Sequence, residues 1–465
     1  MRQQHTARSL AIALLLFVFV SIANADDLDR LIRERMAERN IPGAAIAVIR
    51  NGKPVKVKGY GMASVEFSAP VTTETVFEIG SVSKQMTAAG IMLLVQDGKV
   101  SLDEKIAKYL PNTPEAWNDV TVRHLLTHSS GIKSYSSLDG FELSRRVTID
   151  GFIKQLSPYA LEFTPGEKNI YSNSGYNLLA YIIETQSGKS YMEFMRERIF
   201  LPLGMTKTAD RDPQFVIPLR ANGYEWRNGR LAGRDGSLTD LMGAGSIVST
   251  IGDMIKWENA LRSDKFLTPQ SKREIWTQFT FNGGERSVYG LGWRISDVRG
   301  IKLIGHTGQT AGFGAAIFRY VDNDTTVIAL SNLGELGMGA MLATLAAKHY
   351  IPALSLRSIK DEISAGTEIS TLVRTAIESR FGNAIDDTVF TESLARTLKN
   401  TRSQEIAKRL AKYGPINEIR FTKREKNDRG ETFTVLSKTG TRIFLWRATV
   451  DNDRKIAELI LDEEE

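Results

Sequence analysis

Ser81 and Lys84 stand three positions apart in Phe77-Glu78-Ile79-Gly80-Ser81-Val82-Ser83-Lys84-Gln85-Met86, at the entry to an apolar helical run from Met86 to Val95. On a helix, residues at that spacing share a face, with Cβ atoms roughly 5–6 Å apart. A serine hydroxyl is a poor nucleophile until a neighbouring base takes its proton, and a desolvated amine one turn away is such a base. The first turn of a helix also presents unpaired N–H groups to a developing oxyanion. The same two residues taken alone equally make an N-cap serine and a surface lysine. Ser130-Gly131-Ile132-Lys133 repeats the spacing, but Gly131 marks a turn after Leu125-Leu126-Thr127-His128, so this second pair belongs to a loop.

A second group lies in Pro165-Gly166-Glu167-Lys168-Asn169-Ile170-Tyr171-Ser172-Asn173, which leads into a helix from Ser174 to Gln186. Of the 13 tyrosines, only Tyr171 has an asparagine two places on. A phenol beside an ammonium can titrate below its usual ~10 and shuttle protons, while an amide can orient a lysine and hold a substrate carbonyl. A buried tyrosine with a helix-capping asparagine is the bland alternative. The third group, Ile304-Gly305-His306-Thr307-Gly308-Gln309, ends an expected strand. Glycine there lets a ligand backbone pair with the strand edge, and a cation would favour a carboxylate, although His306 is only partly charged at neutral pH. An ordinary strand-end turn would look similar.

The elements that must bring these groups together are legible in outline. Leu28, Leu31, Ile32 and Met36 have helical spacing that stops at Asn40-Ile41-Pro42-Gly43. Ala44 to Arg50, Asn51-Gly52 and Lys53 to Tyr60 form a hairpin signal with a primed turn. Far downstream the order is mirrored: strands at Lys302–His306, Ala315–Tyr320 and Thr326–Leu330, then an apolar helix from Met338 to about His349. Residues 81 to about 280 are mostly helical, punctuated at Asp97-Gly98, Ser130-Gly131, Pro165-Gly166, Ser187-Gly188 and Gly243 to Gly245. The expected fold class is α/β (α+β): an antiparallel sheet built from both ends of one domain, flanked by helices, with a helical lobe inserted and a cleft where the two meet. That domain spans 26–354. A polar linker is expected at 355–368, and a small α+β module at 369–465 with strands at 417–423, 431–437, 442–449 and 455–461.

Composition removes several reaction classes. The 465 residues include no cysteine, which excludes disulfides, thiolate nucleophiles and Cys-ligated metals. Hydrophobic residues at 42% and charged ones at 25% exclude disorder and a multispan membrane protein. The net charge is only +6 with both signs interspersed, so nucleic acid is not an expected partner. Arg2 and Arg8 precede the 11-residue apolar run Leu10 to Val20 and the small-residue site Ala23-Asn24-Ala25, so residues 1–25 are expected to be a secretory signal. Removing them leaves +4 on a periplasmic chain without a membrane span, because the run is shorter than the ~20 residues a bilayer needs. No cysteine precedes the cleavage site for lipidation. His124 and His128 are four apart, but Leu125 stands where a metalloprotease would have glutamate, and neither a metal nor another cofactor is expected.

Together the three groups resemble the serine β-lactamase and penicillin-binding protein superfamily, over roughly residues 28–350. The similarity is to its branch of class C-like β-lactamases, D-alanyl-D-alanine carboxypeptidases, D-amino acid peptidases and esterases. The family's Ser-x-x-Lys, Tyr-x-Asn and Lys/His-Thr-Gly elements fall on Ser81 to Lys84, Tyr171 to Asn173 and His306 to Gly308. Leu125–Ile132, Leu201–Met205 and Gly243–Thr250 resemble that branch too, as scaffold. The resemblance implies a β-lactamase/transpeptidase-like fold and an acyl-enzyme on Ser81, with Lys84 and Tyr171 trading the proton. It implies that Asn173 positions Lys84 and the substrate amide, that the N–H groups of Ser81 and Gln309 form the oxyanion hole, and that His306 and Thr307 hold a substrate carboxylate. Histidine at 306, where β-lactamases usually carry lysine, points to carboxypeptidase or esterase relatives. Lys438-Thr439-Gly440 is a hairpin turn by position. The expected substrates are small molecules or peptides, cell-wall fragments included. The competing expectation is a penicillin-recognising binding or regulatory protein that scarcely turns over.

Overall fold

The computed structural model describes residues 27–139, 147–212, 214–234, 236, 242–382, 384–428, 430–440 and 442–465, and the expected signal at 1–25 lies outside them. The chain divides into two compact units, one ending at Tyr350 and the other starting at Ile351. After a helix over residues 27–38, the first unit runs through β1 (Gly43–Arg50), β2 (Lys53–Ser64), β3 (Ala69–Pro70) and β4 (Val76–Glu78). It continues with β5 (Ala209–Asp210), β6 (Tyr224–Arg227), β7 (Arg230–Gly233) and β8 (Ile247–Thr250). The last strands are β9 (Arg294–Val298), β10 (Ile301–Gln309), β11 (Gly314–Tyr320) and β12 (Thr325–Ser331).

Seven strands form one antiparallel sheet in the order β3-β2-β1-β12-β11-β10-β9, so the two ends of the unit meet where β1 pairs with β12, Ala44 opposite Ser331. The expected hairpin is present, with Asn51 and Gly52 at φ 50° and 73° as a primed turn requires. Ala44 to Ile49 are wholly buried, because helices cover both faces of the sheet centre; a fully buried Ile or Val contributes about 1.5–3 kcal/mol. Between β4 and β5 lies the helical lobe, including Ser83–Gln96, Asn173–Ser187 and Tyr191–Met195. The insertion is not helical throughout: β4, β8 and β5 form a small sheet, and β6 and β7 a hairpin. These short strands lack the alternating run that would announce them in the sequence.

The second unit packs helices Thr367–Ser379, Glu392–Leu398 and Thr401–Ala411 on a four-stranded antiparallel sheet, β13 (Glu418–Asn427), β14 (Gly430–Thr439), β15 (Arg442–Val450) and β16 (Ile456–Glu464). Val373, Ile377, Phe433, Phe444 and Trp446 lie in its core. Residues 355–368, expected as a linker, are tied into this unit: the Leu356 amide donates to Glu465 Oε2 at 2.6 Å and the Ile363 amide to Phe421 O at 2.9 Å. Thr439 closes β14 and Gly440 turns at φ 55°, so Lys438-Thr439-Gly440 is the β14–β15 turn. No helix among the described residues is long and apolar enough to cross a membrane.

Candidate active site

Ser81 sits in a single 3-10 turn, Gly80–Val82, that runs directly into the helix Ser83–Gln96. β4 delivers the turn, and β10 passes against it. Gly80 has φ 51°, and a Cβ there would lie 2.8 Å from the Gln309 nitrogen; a Cβ on Gly308 would lie 1.9 Å from Ile79 O. Only two glycines allow the strand end and the turn to touch backbone to backbone.

Lys84 is wholly buried beneath Ser81. Its Nζ lies 3.2 Å from Ser81 Oγ and donates to Asn173 Oδ1 at 2.8 Å and to the Ala244 carbonyl at 2.7 Å. No carboxylate pairs with it among the described residues, and burial pushes the amine well below its ordinary value. The Ala244 acceptor was not foreseen from the sequence. It comes from a short helix, Met242–Gly245, that approaches closely because a Cβ at Gly243 would meet Tyr176 O at 2.4 Å. The small-residue run Gly243-Ala244-Gly245 was the only available signal.

Tyr171 hydrogen-bonds Ser81, and its ring centre lies 4.8 Å from Lys84 Nζ. The ring keeps 41% exposure toward the cavity. Burial of the hydroxyl end nevertheless pushes the phenol up, with the Ser81 bond only partly offsetting it. This corrects the expectation of a depressed phenol: desolvation outweighs the hydrogen bond from Ser81. Asn173 begins the helix Asn173–Ser187, whose N-cap is Ser172.

His306 departs from its expected place as a cation. It is 4% exposed; its Nδ1 lies 2.6 Å from the Thr307 carbonyl, and Nε2 faces the Tyr289 hydroxyl. A carbonyl only accepts, so Nδ1 carries the proton and Nε2 accepts from Tyr289. Both nitrogens are thus occupied, and burial, with Lys84 nearby, pushes the imidazole down to about 3. An exposed cation that does reach the cavity is Arg294, at the start of β9 opposite Gly305, with no ion pair among the described residues. Arg294, Ser81, Tyr171, Thr307, Gly308 and Gln309 all line one cavity of about 370 Å³. β9 pairs with β10 only as far as Gly305, while β11 pairs with β10 through Gln309, so Thr307 to Gln309 offer one unpartnered edge to this cavity among the described strands. Sequence spacing could not single out Arg294 among the many arginines, because only the strand register places it there.

A buried lysine touching a part-exposed serine, with a tyrosine over both beside an antiparallel sheet edge, is an arrangement with the groups that acyl transfer requires. The family model "Beta-lactamase" matches residues 28–350, and the chain belongs to that family. Penicillin-binding protein 4* of Bacillus subtilis is 30% identical over 329 residues, 65% of this chain and 70% of that protein. The D-aminopeptidase of Brucella anthropi is 31% identical over 299 residues, 63% of this chain and 56% of that one. Among solved structures, the D-amino acid amidase of Ochrobactrum anthropi SV3 superposes with TM-score 0.61 at 26% identity, over 70% of this chain and 98% of its own. The octameric penicillin-binding protein homologue of Pyrococcus abyssi covers 95% of this chain and 99% of its own, with TM-score 0.63 at 24% identity, a likeness of fold.

Proposed function

We propose that this chain is an exported serine hydrolase that forms an acyl-Ser81 intermediate on amide or ester bonds, with D-amino acid peptides of peptidoglycan type as the favoured substrates. The observation that carries the reading is the environment of Lys84. A neutral amine has two N–H groups and one lone pair. Asn173 Oδ1 and Ala244 O take the two protons, which leaves the lone pair for Ser81 Oγ, 3.2 Å away.

Lys84 then takes the hydroxyl proton as Oγ bonds to the substrate carbonyl carbon, and the carbonyl electrons move onto oxygen. The amides of Ser81 and Gln309 stabilise that oxyanion; each such donor is worth ~3 kcal/mol. Collapse breaks the bond to the leaving group, which takes its proton from the Tyr171 phenol, and Lys84 returns the proton to Tyr171. Water repeats the sequence on the acyl-enzyme and frees Ser81. An extended substrate pairs with the open Thr307–Gln309 edge, and the Thr307 hydroxyl and Arg294 guanidinium receive its carboxylate, the role once expected of His306. The D-amino acid preference draws on the D-aminopeptidase and D-amino acid amidase relatives. Export to the periplasm rests on the apolar run and Ala23-Asn24-Ala25.

Incubation with a fluorophosphonate or a fluorescent penicillin, followed by peptide mass mapping, is expected to place the adduct on Ser81. Ser81→Ala should remain unlabelled. A folded sample with no adduct, or one labelled elsewhere, would sink the reading. Separately, Arg294→Ala should raise KM about 10–100-fold for a peptide ending in a free carboxylate, since a charge-assisted hydrogen bond is worth roughly 1.5–3 kcal/mol. The same peptide as its terminal amide should be hydrolysed equally by both proteins; an equal loss on the two would remove Arg294 from substrate binding.

A further inference from the structure

His128 closes the short helix Val122–Leu126, beyond its C-cap Thr127. The helix end is a complete double-bonded cap: the His128 amide donates to Leu125 O at 3.3 Å and the Ser129 amide to His124 O at 2.9 Å. His128 occupies the left-handed position of that cap, at φ 58°. Glycine is the usual residue there, because a side chain is strained in that conformation. A buried side chain kept at such a position points to a use for it.

The use is visible on both sides of Tyr171. The His128 carbonyl accepts from the Ile170 amide at 3.1 Å, and His128 Nδ1 accepts from the Ser172 amide at 3.1 Å. The two bonds bracket Tyr171. The imidazole also lies against the phenol ring, with centroids 4.3 Å apart. Accepting at Nδ1 fixes the proton on Nε2, which has no hydrogen-bond partner among the described residues and sits in a pocket walled by Tyr176 and Tyr289. His128 itself is 1% exposed and does not line the cavity; the cavity-lining rings it packs against are Tyr171 and Tyr289.

We infer that His128 is a positioning residue: it clamps the backbone on either side of Tyr171 and seats the ring, so that the phenol points at Ser81 and Asn173 at Lys84. The inference rests on the hydrolase reading above. It assigns a role to a segment that the sequence placed in the scaffold, and it names the Nδ1 acceptor as the working atom.

His128→Asn keeps an acceptor at the same distance from the backbone and suits the left-handed conformation; His128→Gln carries its acceptor one bond too far out. Full-length wild type and both variants are titrated for active sites with a fluorophosphonate, and turnover of a D-amino acid p-nitroanilide is expressed per reactive site, with Tm measured alongside. The Asn variant should stay within about 5-fold of wild-type kcat. The Gln variant should lose about 10–100-fold in kcat, with KM within 2-fold. Equal kcat per site in wild type and the Gln variant, or an Asn variant as slow as Gln, overturns the inference. A wild type with no reactive serine would instead overturn the hydrolase reading and leave the clamp without a reaction to serve.

Discussion

Replacing Lys84 with methionine is expected to lower kcat/KM by about 10²–10⁴ while the chain stays folded, because methionine fills a similar volume and general-base catalysis contributes on that scale. The pH dependence gives the sharper signature. Lys84 accepts the Ser81 proton only when neutral, and burial lowers its pKa well below 10.5. Wild-type kcat/KM should therefore rise with pH through that lowered value and then level off, far below the range of an exposed lysine. In Lys84→Met the residual rate should lose this limb. Retention of the limb in the variant would mean that another group is the base. Lys133→Ala is the control: Lys133 reaches over the Tyr159 ring, and its loss should leave the rate unchanged.

His306 illustrates what the sequence could and could not convey. The strand was legible from residue order, and the family resemblance picked out His306, Thr307 and Gly308 at its end, where an ordinary strand-end turn would have read the same. The charge of the imidazole was not legible, because it depends on Tyr289 and the depth of burial, neither of which is local in sequence. The same holds for Tyr171, whose phenol is raised where adjacency to an amine alone suggested the opposite. Ser81 and Lys84 were legible because one turn of helix relates them and the chain cannot easily separate them. That the two ends share one sheet was legible too, from the mirrored order of helix and strands, whereas the particular junction of β1 with β12 was not, because both strands are buried along almost their whole length and carry no alternation to set a partner. Arg294, the Ala244 carbonyl and the His128 clamp were out of reach: register, a close approach at Gly243 and a helix cap bring each into place, and none leaves a mark in spacing.

Tyr171→Phe separates the two protonic roles that Lys84 and Tyr171 divide. The substitution keeps the ring that packs on His128 and removes only the hydroxyl that meets Ser81. A raised phenol is a proton donor at neutral pH, not a base. Its loss should therefore weigh on the step in which the leaving group needs a proton. An amide expels a basic amine and requires that proton, so kcat/KM for a p-nitroanilide or peptide should fall by about 10²–10³. A p-nitrophenyl ester expels a stable phenolate that needs none, and its rate should fall less than about 10-fold. The ratio of amide to ester rates is the measurement. If both substrates lose equally, the phenol acts before the bond to the leaving group breaks, and the base would then have to be Tyr171 with Lys84 holding it in place. A large ratio assigns Lys84 to the attack and Tyr171 to the departure.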